Sequence, residues 1–141
     1  MKVMIIGGGI AGLTAAIALE KLGMEAQVFE RAPSVREVGA GISLWANALD
    51  ALAAIGLGDQ IRIRGFKNVR PEVRKWDGRI IREKSEEPAA PGVGVMHRAD
   101  LLATLESRID RRRIHPGHQC VGVSDDGQKV TARFKNGNAR L

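Results

Sequence analysis

The run Gly7-Gly8-Gly9-Ile10-Ala11-Gly12 constrains this chain more than any other feature. It follows a short apolar stretch at residues 3–6. After it, Leu13, Ala16, Ile17 and Glu20 fall at helical spacing, and Gly23 stands where a helix would stop. A strand cannot run through consecutive glycines, so the chain must turn there and enter the helix. Residues 26–30 read as a second strand. The expectation is a β-α-β unit in about thirty residues, its first strand central, parallel and buried on both faces.

Each glycine of the spaced motif has a physical task. Gly7 permits the tight turn out of the strand. Gly9 lacks a Cβ, so a pyrophosphate can approach the backbone, and Gly12 lets the helix pack closely on the strand. The helix N-terminus then offers free N–H groups and about half a positive charge to phosphate. Glu30 ends the second strand 23 residues beyond Gly7, near the separation of about 20 expected of a carboxylate that accepts from ribose hydroxyls. No Gly-Lys-Ser/Thr follows, which excludes a P-loop. The pattern points to a dinucleotide. Glu30 would repel a 2′-phosphate, although Arg31 stands beside it. The glycines do not choose between FAD and NAD.

Downstream, Pro33 and Ser34 open a loop, and Gly39, Ala40 and Gly41 form a flexible stretch leading to Ile42-Ser43-Leu44. Ala48, Leu49, Leu52 and Ile55 mark a second helix, with Gly56 and Gly58 at its end. Residues 69–74 and 80–82 flank Trp76-Asp77-Gly78, and Asp-Gly is a strong hairpin signal. Residues 85–94 read as a surface loop. Leu101, Leu105 and Ile109 place a third helix over residues 100–109, with Arg111, Arg112 and Arg113 at its end, where cations complement the helix dipole. The tail reads as a β-meander: Val121 and Val123 alternate with small residues, Asp125-Asp126-Gly127 turns the chain, Val130, Ala132 and Phe134 alternate again, and Asn136-Gly137 turns it once more. The fold class is α/β: a Rossmann-like βαβ unit with a parallel sheet, plus the meander, apparently truncated.

Three further segments follow the glycine motif in order: Val28-Phe29-Glu30-Arg31-Ala32, Gly39-Ala40-Gly41-Ile42-Ser43-Leu44-Trp45-Ala46-Asn47, and His97-Arg98-Ala99-Asp100-Leu101. With them, essentially the whole chain resembles the FAD-dependent aromatic hydroxylases, the single-component flavoprotein monooxygenases typified by para-hydroxybenzoate hydroxylase. The resemblance implies FAD as cofactor and NAD(P)H as reductant. It implies hydroxylation of an aromatic or heterocyclic substrate with O₂, the protein orienting the cofactor and excluding water. It would place Gly7, Gly9, Ala11 and Gly12 along the pyrophosphate, Glu30 on the adenosine ribose and Arg31 beside the adenine end. Ser43 would lie along the cofactor, Arg98 would reach its ribityl or pyrophosphate region, and Cys120 would sit in the strand whose backbone meets the adenine. The chain departs from the family at Ala46, where Pro is common. It also ends at Leu141, before the later motifs and the substrate sheet. The resemblance therefore implies that residues 1–141 are the N-terminal part of an FAD-binding domain without its substrate domain, incomplete for catalysis alone. No catalytic residue is assigned.

Two other readings remain open. An NAD(P)-dependent Rossmann oxidoreductase would keep Glu30 but leave the segments around Ser43 and Arg98 unexplained. A non-catalytic nucleotide-binding fragment or subunit would account for the early end, and an unpaired sheet edge would favour self-association.

Composition excludes more than it assigns. The net charge of +6 invites phosphates, but no nucleic-acid motif accompanies it, and Tyr is absent from a chain with only 4% aromatic residues, which leaves little for base stacking. Cys120 is the single cysteine; it excludes an internal disulfide, fits a reducing cytosol and reads as an inert thiol. His115 and His118 lack a carboxylate or thiolate at ligand spacing, so they read as a solvated turn and not a metal pair. Trp45 and Trp76 read as packing residues. Residues 3–19 carry no charge, but the glycines interrupt them and a membrane span needs about 20 apolar residues. Without targeting signals the expected location is cytoplasmic.

Overall fold

The computed structural model describes residues 1–34, 41–65, 73–82 and 94–140. The elements run, in order, β1 (Lys2–Ile6), α1 (Ile10–Lys21), β2 (Glu25–Phe29), β3 (Gly41–Leu44), α2 (Ala46–Ala54), α3 (Gly58–Arg64), β4 (Val73–Arg74), β5 (Ile80–Arg82), β6 (Gly94–His97), α4 (Arg98–Glu106), β7 (Ile114–His115), β8 (Cys120–Asp125), β9 (Val130–Phe134) and β10 (Gly137–Arg140). They form two compact units: residues 1–38 with 99–141, and residues 39–98.

In the first unit β1, β2 and β7 form a parallel sheet in that order. The expected β-α-β crossover is therefore present, with Lys2 opposite Glu25 and Ile6 opposite Phe29. Strand alternation sends Val28 and Ala26 to one face and Phe29 to the other. Leu13, Ala16 and Ile17 of α1 are buried, and Ile5 lies under Gly12 of that helix. On the opposite face the antiparallel meander β8-β9-β10 packs through Ala132 and Phe134 onto Phe29, with Met4 and Cys120 at its margin. The sheet is thus a middle layer between a helix and a meander. Each fully buried aliphatic side chain, such as Leu13 or Val28, contributes roughly 1.5–3 kcal/mol.

Gly23 ends α1 as its position suggested. At φ +75°, its N–H reaches Glu20 O and the next N–H, of Met24, reaches Leu19 O, the paired hydrogen bonds that close a helix on a left-handed glycine. Gly56, at φ +84°, closes α2 in the same way through Ala53 O and Leu52 O.

The second unit pairs β3 antiparallel with β6 and β4 antiparallel with β5. The Asp77-Gly78 turn is as expected: Gly78 is at φ +85°, and Lys75 accepts its N–H while donating to Arg79 O.

Several expectations need correction. β1 is an outer strand among the described residues, half-buried at Val3, Met4 and Ile5 and exposed at Lys2 and Ile6; β2 holds the middle and takes the burial. Gly58 begins α3, because its missing Cβ allows contact with Ala53 at close range. Arg111–Arg113 do not end a long helix. α4 stops at Glu106, and the arginines form a separate 3₁₀ turn in which the Asp110 carboxylate accepts the Arg112 N–H. A hydrogen bond from the Arg112 side chain holds the Asp110 carboxyl down to about 2. Trp45 and Trp76 are 64% and 99% exposed; one sits at the N-cap of α2 and the other at the tip of a hairpin. β8 carries a bulge at Val121; Val121 and Val123 are exposed, while Cys120 and Gly122 are half-buried. Gly39 and Ala40, residues 69–72 and residues 85–93 of the expected loop lie outside the described residues.

Candidate functional site

The turn from β1 into α1 is built as its glycines require. Gly7 adopts φ +111°, a region that a side chain resists, and its N–H donates to Phe29 O at 2.8 Å. A Cβ on Gly12 would stand 1.9 Å from the Gly7 carbonyl oxygen, so only glycine lets α1 meet the turn. Gly9 is different. It is the N-cap of α1, in extended conformation, with no side chain bonded to the helix end and no acid in the first turn. A Cβ built on it meets nothing within 4 Å. Nothing in the fold therefore demands glycine at position 9. The space it leaves lies against the positive end of a helix, which suits a phosphate. Ala11 is exposed in that first turn.

Glu30 follows β2 and is fixed on four sides. Its carboxylate accepts the Gly8 N–H at 2.7 Å and the Ala32 N–H at 2.8 Å. Its own N–H donates to His115 O, and its carbonyl accepts the His118 N–H. Each carboxylate oxygen keeps a lone pair for a further donor. Gly8, which the spaced motif leaves unassigned, is buried, and a Cβ there would come 2.9 Å from the Glu30 Cβ. The middle glycine of the run thus serves the carboxylate; the one sequence signal for it was a glycine between the two that the motif asks for there.

A cavity of about 210 Å³ opens beside this pair, lined by Gly7, Glu30, Arg31, His118, Gln119 and Cys120 among others. Ligand sites for whole small molecules run to roughly 300–1,000 Å³, so this one suits part of a dinucleotide. Arg31 is exposed at its edge. Cys120 is half-buried, its thiol donating to Gly122 O at 3.6 Å. His115 and His118 do not form a solvated turn. Both join an aromatic cluster in which Phe29 stacks on His115 and Phe134 with centroids 4.7 and 4.8 Å apart, while His118 stands edge-on to both Phe rings. His115 Nε2 also bonds Gln27 Oε1 at 2.7 Å. Burial, and then the neighbouring His118, push the His115 pKa below its ordinary value. No group of three or more metal-ligating side chains occurs among the described residues.

The structure thus gathers Gly7, Gly9, Ala11, Gly12, Glu30, Arg31 and Cys120 in the first unit. Ser43 and Arg98 belong to the second. There Ser43 is exposed opposite Val95 in the β3–β6 ladder, and half-buried Arg98 begins α4 directly after His97, the partner of Gly41.

A family model described as "FAD binding domain" matches residues 1–140. Among curated relatives, 3-amino-4-hydroxybenzoate 2-monooxygenase of Streptomyces cremeus is 34% identical over 97% of this chain, and salicylate hydroxylase of Pseudomonas putida is 32% identical over 97% of it. The chain spans only 36% and 33% of those proteins. Among solved structures, Klebsiella pneumoniae HpxO in complex with FAD and uric acid superposes with a TM-score of 0.82 at 27% identity, over 99% of this chain and 37% of that one.

Proposed function

The chain belongs to the FAD-binding domain family, and from that membership we propose that it is the FAD-holding portion of a flavin-dependent monooxygenase acting on a small aromatic or heterocyclic substrate with NAD(P)H and O₂. The observation that carries this reading is the coupling of the glycine turn to Glu30. One residue pair, Gly8 and Glu30, ties the phosphate-binding helix end to the carboxylate that borders the cavity. A pyrophosphate and a ribose are held at that separation in a dinucleotide.

The residues present fit the cofactor. Gly7 and Gly12 shape the turn, and Gly9 and the exposed Ala11 leave the end of α1 open to the pyrophosphate. Glu30 accepts from the adenosine ribose hydroxyls through its remaining lone pairs, Arg31 borders the adenine end, and the backbone at Cys120 meets the base. Bound FAD supplies the redox chemistry, accepting electrons from NAD(P)H and activating O₂; the chain's own work is to bind and orient. Relatives named for hydroxylating aminohydroxybenzoate and salicylate support an aromatic substrate class.

Calorimetric titration of the chain with FAD and, separately, with NADP tests this reading. FAD should bind at least about tenfold more tightly, because a 2′-phosphate placed beside Glu30 meets a like charge. Tighter binding of NADP would overturn it.

A further inference from the structure

Among the described residues His118 is the one polar ring in the cavity wall, and nothing in the sequence motif assigns it a task. Its Nδ1 lies 2.8 Å from Pro116 O. A carbonyl only accepts, so Nδ1 carries the proton, and in the neutral ring Nε2 is left as an acceptor. No hydrogen-bond partner for Nε2 is found among the described residues. The ring cannot easily turn away. It stands edge-on to Phe29 at 68° and to Phe134 at 84°, and its backbone N–H is anchored on Glu30 O at 2.7 Å. The residue that presents the acceptor is thus bonded to the residue that borders the ribose position.

The geometry points to His118 as a base-recognition residue: its Nε2 accepts from the exocyclic amine of a 6-aminopurine held in the cavity beside Glu30. This rests on the proposed dinucleotide site and adds to it a side chain that selects the base. The base joined to a ribose at Glu30 lies within a nucleoside's length of that carboxylate, and His118 lines the same cavity. An amine offers the donor that Nε2 requires. A 6-oxo purine offers an acceptor there, which leaves Nε2 unpaired and opposed by a second lone pair. Such mismatches reject an analogue more strongly than a missing apolar contact does. The locked ring gives up little rotamer freedom on binding.

The test compares FAD with flavin hypoxanthine dinucleotide, whose purine carries a 6-oxo group and an N1–H in place of the 6-amine and bare N1, by fluorescence titration of the full 141-residue chain. The unaltered chain should prefer FAD by about tenfold. His118→Asn keeps a donor near the Nδ1 position for Pro116 O and removes Nε2; it should bring the two ligands to within about twofold. His118→Gln keeps a polar atom near the Nε2 position and should retain part of the preference. FAD binding with equal affinity for both dinucleotides in the unaltered chain, or an intact preference in a folded His118→Asn, overturns the assignment while leaving the FAD site standing. Failure of the unaltered chain to bind either dinucleotide overturns the site itself and the assignment with it.

Discussion

The Glu30 carboxylate lies 2.7 Å from the Gly8 backbone nitrogen, across 22 residues of chain. That contact makes the glycine turn and the end of β2 one rigid element. The second carboxylate oxygen is held by Ala32 N–H at 2.8 Å. Replacing Glu30 by Ala leaves the N–H of buried Gly8 without its acceptor, at a cost of about 1–3 kcal/mol. It also removes the ribose anchor. Denaturant unfolding should show that loss of stability, and titration should show FAD affinity falling at least about tenfold. Unchanged FAD affinity in a folded Glu30→Ala variant would remove the carboxylate from the site.

Gly12 and its neighbours set a sharper structural limit. The Gly7 carbonyl oxygen stands 1.9 Å from where a Cβ at position 12 would be, and backbone cannot rotate away as a side chain can. Gly12→Ala should cost at least roughly 3 kcal/mol, lowering the melting temperature by roughly 6–12 °C. A calorimetric melt within a degree of the unaltered chain would show that α1 and the turn are not in close contact.

His115 should make the fold acid-sensitive. Its folded pKa is pushed below the ordinary 6.5 by burial and by His118. The unfolded chain therefore binds the extra proton first as pH drops. The contribution is fully present above 6.5 and is lost as pH falls from there through the folded value. His115→Gln removes the titration. The fall in melting temperature between about pH 7.5 and about pH 5.5 should be smaller in the variant than in the unaltered chain. An equal or larger fall would place the acid sensitivity elsewhere.

The ion pair between Arg113 and Glu20 joins the 3₁₀ turn to α1 at 2.8 Å, with side chains 36% and 25% exposed. Water screens such a pair, so Arg113→Gln should cost less than about 1 kcal/mol. Denaturant titration would detect a larger loss, which would mark this contact as a principal tie between the two segments.

Much of the cradle is local physics and was legible in the sequence. Gly7, Gly12, Gly23 and Gly78 each answer a nearby backbone demand, and Glu30 follows at the spacing the motif requires. What was not legible depends on contacts distant in sequence. The task of Gly8 is visible only once Glu30 is seen folding back onto it. His118 reads as a solvated turn residue until Phe29 and Phe134, from two other strands, close around it. The bulge at Val121 in β8 is not something that alternation alone reveals. Arg111–Arg113 look like a helix end because their charge suits one; Asp110 takes the same charge locally and starts a separate turn. Gly58 resembles a stop signal but is needed small for packing on Ala53.

Gly9 separates folding from binding, and so tests the central claim most directly. A Cβ at position 9 meets no atom within 4 Å, and the backbone there is extended at φ −78°, a conformation that Ala adopts freely. Gly9→Ala should therefore cost no more than about 1 kcal/mol, the preference of an N-cap for Gly over Ala, while its methyl group holds the pyrophosphate away from the end of α1. Equilibrium titration with FAD should show affinity falling at least about tenfold in a variant that remains folded. Equal FAD affinity in the two proteins would contradict the glycine turn as the phosphate site.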